Sequence, residues 1–141
     1  MAVGPPVRLG VDLELLRDGW EDVAPLLATA EQAFIATRAP TEQRKAFYHV
    51  WTRKEAYLKA IGRGLEVAPC SFSVVPGATE TEALDNDSWQ TATFQLAESE
   101  ALLTVVAECD ELTVAIAQYD LPSYRDAPAG ALREAPFGGI A

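Results

Sequence analysis

Apolar and polar side chains alternate over residues 7–15, VRLGVDLEL, with Val11, Leu13 and Leu15 on one side and Asp12 and Glu14 on the other. A period of two predicts a β-strand, with the apolar set anchoring it in the core and the two acids projecting together from the opposite face. Residues 22–27 give a weak signal, since Pro25 is tolerated only in a first helical turn. Thr29 and Gln32 have capping-box spacing and predict a short helix to about Thr37, ended by Pro40. Thr41 then caps a longer helix, in which Phe47, Val50, Trp51, Leu58 and Ile61 recur at helical spacing until Gly62 and Gly64 stop it.

Beyond that helix, CSFSVV, WQTATFQLA, ALLTVVAEC and LTVAIAQYD are short β-branched and aromatic runs. Pro76–Gly77, the acidic stretch 80–87 and Asp110 separate them, which predicts a meander of antiparallel strands. From residue 121 the composition shifts to Pro, Ala and Gly, with too few large apolar residues to pack. The organisation expected is one lobe over residues 1–120 and a tail or linker over 121–141. Strand, helices, then strands implies an α+β fold, a small antiparallel sheet with the long helix packed across one face.

Bulk properties narrow the function classes. The chain has 141 residues, 49% of them hydrophobic and 23% charged, which suits one ordinary globular domain. No apolar run reaches bilayer length and the start lacks signal-peptide character, so the expectation is a cytoplasmic protein without a membrane segment. Cys70 and Cys109 form no CxxC pair, and one histidine, His49, offers no zinc-ligand spacing; free thiols are the expectation. A net charge of −10 argues against nucleic acid or anionic lipid as a partner. Residues 38–63 nevertheless carry seven basic against two acidic side chains, so the remainder of the chain holds −15. A basic segment on an acidic body suits a compact polyanion or an acidic protein face, and equally a solvated helix face.

The strongest chemical signal lies in FYHVWTRKEAYLK, residues 47–59. Glu55 and Lys59 are four apart and share a helix face, while Lys54 is rotated about 100° to its flank. Alone, the Glu-Lys pair is an ordinary helix pair, and Asp12-x-Glu14 alone is an ordinary half-exposed strand. Together, three carboxylates and two ammonium groups are what a divalent metal and a phosphate-rich substrate require, because the metal takes hard oxygen ligands and phosphates take cations. Asp12, Glu14 and Glu55 would then hold Mg2+, with Mn2+ as an alternative ion, and Lys54 and Lys59 would neutralise phosphate. Trp51, one turn before Glu55, is either core or a shield beside the site. No serine-based triad and no Gly-rich phosphate loop is evident.

These residues carry a resemblance. GVDLE followed by FYHVWTRKEAYLKAIGRGL is similar to the paired motifs of the 4′-phosphopantetheinyl transferase superfamily. The tryptophan and the 43 positions from Asp12 to Glu55 look more like the two-lobed surfactin-synthetase-activating type than the small trimeric holo-acyl-carrier-protein synthases. The likeness is clear over residues 8–76 and includes CSFSVV as the strand after the helix. It implies Mg2+-dependent transfer of phosphopantetheine from coenzyme A to a serine of an acyl or peptidyl carrier protein, leaving adenosine 3′,5′-bisphosphate. Residue by residue, it makes Asp12, Glu14 and Glu55 the metal carboxylates and Lys54 and Lys59 the phosphate contacts. Glu55 and Lys59 become the catalytic pair, with Glu55 or water taking the serine proton.

The chain also departs from the pattern. The coenzyme-holding amino-terminal lobe of the two-lobed type and its serine-histidine motif are not found, nor is the related motif of the trimeric type. MAVGPPVRLGVDLE resembles the end of a first lobe running into a second, which makes Met1 an internal or artificial start. The expectation is therefore a catalytic lobe that works with a second lobe, subunit or domain. The alternatives are an incomplete half-lobe serving as an assembly module, and a metal-independent phosphate-binding protein.

Overall fold

The computed structural model describes residues 7–77, 81–84, 89–96 and 99–116. Among the described residues four strands, β1 (Leu9–Leu15), β2 (Thr81–Leu84), β3 (Trp89–Leu96) and β4 (Ala101–Glu108), form one antiparallel sheet in the order β1-β4-β3-β2. Between β1 and β2 come a short helix, α1 (Thr29–Ala36), and a 22-residue helix, α2 (Pro40–Ile61), which lies along β1 and β4. The α+β class and the long helix across one sheet face agree with the sequence expectation. Among the described residues no helix is long and apolar enough to cross a membrane.

Local signals differ from expectation in detail. The cap of α1 is Ala28, and the residue that returns to it is Glu31: a Glu31 carboxylate oxygen accepts the Ala28 N–H at 3.0 Å. Gln32 instead donates to the carbonyls of Leu27 and Pro25. Pro40 does not merely end the first segment; it occupies the first turn of α2, where its missing N–H costs nothing, and Thr41 lies inside that turn. Gly62 closes α2 as expected, at φ 69°, with the Arg63 N–H returning to the Leu58 carbonyl at 3.2 Å.

CSFSVV is not a strand. Pro69–Ser71 form a 3-10 turn and 72–77 run without regular pairing. The fourth strand comes from the acidic stretch instead, as Thr81–Leu84 pair with β3 despite their charge. In LTVAIAQYD, residues 112–116 form no strand, and 117–120 lie outside the described residues, as does the expected tail 121–141.

The larger correction concerns which way β1 faces. A Cβ on Gly10 would collide with the backbone of Ala56 and Ala60, so Gly10, and with it Asp12 and Glu14, lies on the side covered by α2. Strand register aligns Asp12 with Thr104 and Thr93 on that side, and Leu13 with Leu103 and Phe94 on the other. The acids thus point under the helix, and Leu13 and Leu15 are 55% and 47% exposed on the outer sheet face. Alternation correctly paired the residues, but the side that is buried is the polar one.

The core between helix and sheet is built from Phe47, Val50, Ala56, Leu102 and Val106, with Trp89 at one end. A seam of hydroxyls crosses it. Thr104 donates to Thr52 at 2.9 Å, Thr52 donates to the Tyr48 carbonyl at 2.9 Å, and Thr93 is 3.0 Å from Thr104. Each hydroxyl of this seam is satisfied, which removes the penalty of placing these polar groups in an interior. Cys70 and Cys109 are free thiols.

The close approach at Gly10 makes a direct test. Gly10→Ala is expected to cost about 3 kcal/mol or more, because the obstruction is helix backbone that no rotamer change relieves. Urea unfolding measures it, and a loss within experimental error would show that α2 can move away from β1 freely.

Candidate functional site

The site forms where the acid-bearing face of β1 meets the middle of α2. Asp12 is buried at 5% exposure; Glu14 and Glu55 are half-buried, and the Lys59 ammonium reaches back from the next turn of α2. Lys59 Nζ donates to Asp12 Oδ1 at 2.6 Å, while the second oxygen, Oδ2, is buried without a hydrogen-bond partner. Asp12 has no choice of environment, since turning it outward would shift every side chain of β1 to the wrong face.

The three carboxylates feel one another. Burial pushes Glu14 and Glu55 above the ordinary carboxylate value, and the charge on Asp12 pushes both in the same direction. Lys59 opposes the shift at each, and Glu14 is also held by a hydrogen bond from the Trp51 indole. Trp51 stacks on Phe47 with centroids 5.9 Å apart, so one half-buried indole joins the core to the site. Among the described residues no three His, Cys, Asp or Glu side chains form a ready metal cage. The acids lie within electrostatic reach of one another, and an ammonium occupies one oxygen of the central one.

That donor set fits a divalent cation on physical grounds. An orphaned buried carboxylate oxygen is costly, and a hard cation would satisfy it while lowering the mutual repulsion that now raises Glu14 and Glu55. Lys59 is half exposed, with its side chain 50% accessible, so it can release Asp12 and turn to an anion without opening the core.

Lys54, the other lysine singled out in the sequence, is placed differently. Its side chain is 1% exposed, and Nζ donates to the carbonyls of Pro69 and Phe72, each at 2.6 Å, and to Glu31 Oε1 at 2.9 Å. The structure therefore brings Asp12, Glu14, Glu55 and Lys59 together and commits Lys54 to the chain that follows α2. Sequence reasoning missed Glu31, because Ala28 in place of a serine or threonine hides the capping pattern. It also left open the role of Trp51, for which helical spacing to Glu55 was the available clue.

Comparison with known proteins gives the family. Residues 8–117 match the family model of the 4′-phosphopantetheinyl transferase superfamily, and the chain belongs to that superfamily. It is 34% identical over 67 residues to a 4′-phosphopantetheinyl transferase of Bacillus subtilis, covering 47% of this chain and 30% of the relative. Over 67 residues it is 39% identical to 4′-phosphopantetheinyl transferase HetI of Nostoc sp., covering 45% and 28%. Over 84 residues it is 30% identical to 4′-phosphopantetheinyl transferase AcpT of Salmonella typhimurium, covering 57% and 44%. The chain thus matches less than half the length of each of these relatives.

The raised carboxyls predict a pH effect of known sign. Glu14 and Glu55 hold their protons to higher pH in the folded chain than their ordinary value of 4.5. Between that value and the raised ones the folded state binds more protons than the unfolded state, so stability falls as pH rises through the window. In chelator-treated protein, unfolding across pH should show this decline, and E14Q/E55Q should flatten it. An identical pH profile for wild type and variant would refute the coupling.

Proposed function

We propose that this lobe transfers 4′-phosphopantetheine from coenzyme A to a serine hydroxyl of an acyl or peptidyl carrier protein. Asp12, Glu14 and Glu55 hold Mg2+ or Mn2+, and the bound ion supplies charge neutralisation and orientation of the pyrophosphate. The observation that carries the reading is the convergence of two half-buried glutamates on Asp12, one of whose oxygens is buried and unpartnered. Superfamily membership supports the same chemistry.

In this reading Lys59 leaves Asp12 Oδ1 for a phosphate oxygen, where its charge opposes the negative charge that builds during transfer. The serine oxygen bonds to the β-phosphorus, the bond from that phosphorus to the bridging oxygen breaks, and adenosine 3′,5′-bisphosphate departs. The serine proton passes to Glu55 or to water beside it. A cation held by Glu55 would make its carboxylate a weaker base, which favours water beside it as the immediate proton acceptor.

The lobe acts with a second lobe, subunit or domain that completes the coenzyme site. Two observations support this: the outer sheet face exposes Leu13 and Leu15 beside Leu103 and Phe94, and the chain matches only a minor share of its relatives' length. A second reading is an assembly module without turnover. The Lys59–Asp12 pair favours it, since that contact closes the central carboxylate.

Incubation with coenzyme A, Mg2+ and an apo carrier protein, alone and with a candidate partner lobe, separates the two. Mass spectrometry should find phosphopantetheine on the carrier serine, and chelator should abolish it. Absence of product in both arms would leave the module. Glu55→Gln is expected to reduce transfer about 100-fold or more with circular dichroism unchanged; full activity in this variant would remove Glu55 from the site.

A further inference from the structure

We propose that Lys54 is a positioning residue, an internal tie that pairs with Glu31 and fixes the segment after α2, and that it does not touch the phosphates of the substrate. An ammonium has three protons to donate, and all three are spent, on Pro69 O, Phe72 O and Glu31 Oε1. The Phe72 ring covers the same nitrogen at 3.9 Å. Glu31 is as fully committed. One oxygen accepts the Ala28 N–H at the start of α1, and the other accepts both Lys54 and the Val74 N–H, the latter at 2.8 Å.

Both side chains are buried, at 1% and 0% exposure, so moving Lys54 to a solvent-facing anion would strand Glu31 in the interior and release two carbonyls. Lys59 is under no such restraint, being half exposed and held by one ion pair. Two lysines five residues apart on one helix therefore do different work. Lys59 serves the carboxylate site, and Lys54 joins α1, α2 and residues 69–74 into one body. The tie also sets how α2 is turned. With Lys54 fixed toward residues 69–74, the next side chain, Glu55, is directed about 100° away, toward β1 and Asp12. The chemical role given to Lys59 rests on the transferase reading, whereas the tie stands on the contacts alone.

A thermal unfolding cycle tests the tie without any ligand. Wild type, K54M, E31Q and E31Q/K54M are compared; K54M should lower Tm by about 10 °C, and the double variant should lose clearly less than the two single losses combined. Additive losses would overturn the pairing. Calorimetric titration of pyrophosphate with Mg2+ then separates positioning from contact. The folded double variant should bind within about twofold of wild type, whereas K59M should bind about tenfold or more weakly, the loss expected for one charge-assisted hydrogen bond. Tenfold weaker binding by E31Q/K54M would overturn the assignment and restore Lys54 as a phosphate contact. If wild type bound no pyrophosphate at all, the phosphate role given to Lys59 in this chain alone would fail, and the unfolding cycle would still decide the tie. In the transfer assay K54M should lower kcat while KM for coenzyme A stays unchanged; a raised KM at unchanged kcat would contradict a positioning role.

Discussion

Everything in this lobe depends on how closely the backbone of α2 lies on β1. Gly10 permits that approach, since a single added Cβ would occupy the space taken by the Ala56 carbonyl and the Ala60 nitrogen. Helix and strand meeting at backbone distance leaves little room for large side chains along the seam. What fills it instead is small or polar: Ala56, Thr52, Thr104 and Asp12, all buried. The closeness of two backbones is thus the reason a carboxylate comes to be interred between a helix and a sheet.

Burial then sets the electrostatics. Two kinds of charge sit in this interior, and they are treated oppositely. Glu31 and Lys54 neutralise one another and spend their hydrogen-bonding capacity on backbone groups, so the pair closes on itself. Asp12, Glu14 and Glu55 share one exposed ammonium and keep an oxygen unpaired, so their repulsion is left standing. A satisfied buried charge holds shape; an unsatisfied one is stored potential for a cation. The two sit on consecutive residues of α2, Lys54 and Glu55, about 100° apart around the helix.

Much of the site was legible in the chain. The period of two placed Asp12 and Glu14 together, and the four-residue interval placed Glu55 with Lys59, because strand and helix geometry translate spacing into shared faces. Gly62 marked the end of α2 for an equally local reason. Three features resisted. The acidic stretch read as a break became β2, because an edge strand can pair through its backbone whatever its charge. CSFSVV had strand composition but forms no regular pairing; its Phe72 carbonyl, like that of Pro69 just before it, accepts from Lys54 instead. Lys54 and Lys59 looked equivalent, since neither Glu31 nor Phe72 lies near them in sequence.

By itself the sequence determined the α+β class, the long helix, the membership of a carboxylate cluster and the superfamily resemblance, all of which follow from local spacing and residue type. Only the tertiary structure decided that the polar side of β1 is the buried one and that the leucines face outward. It alone distinguished the lysine that serves the acids from the lysine that ties the fold. Periodicity states which side chains share a face, but what covers that face depends on contacts tens of residues away, and burial, not spacing, decides what a charge must do.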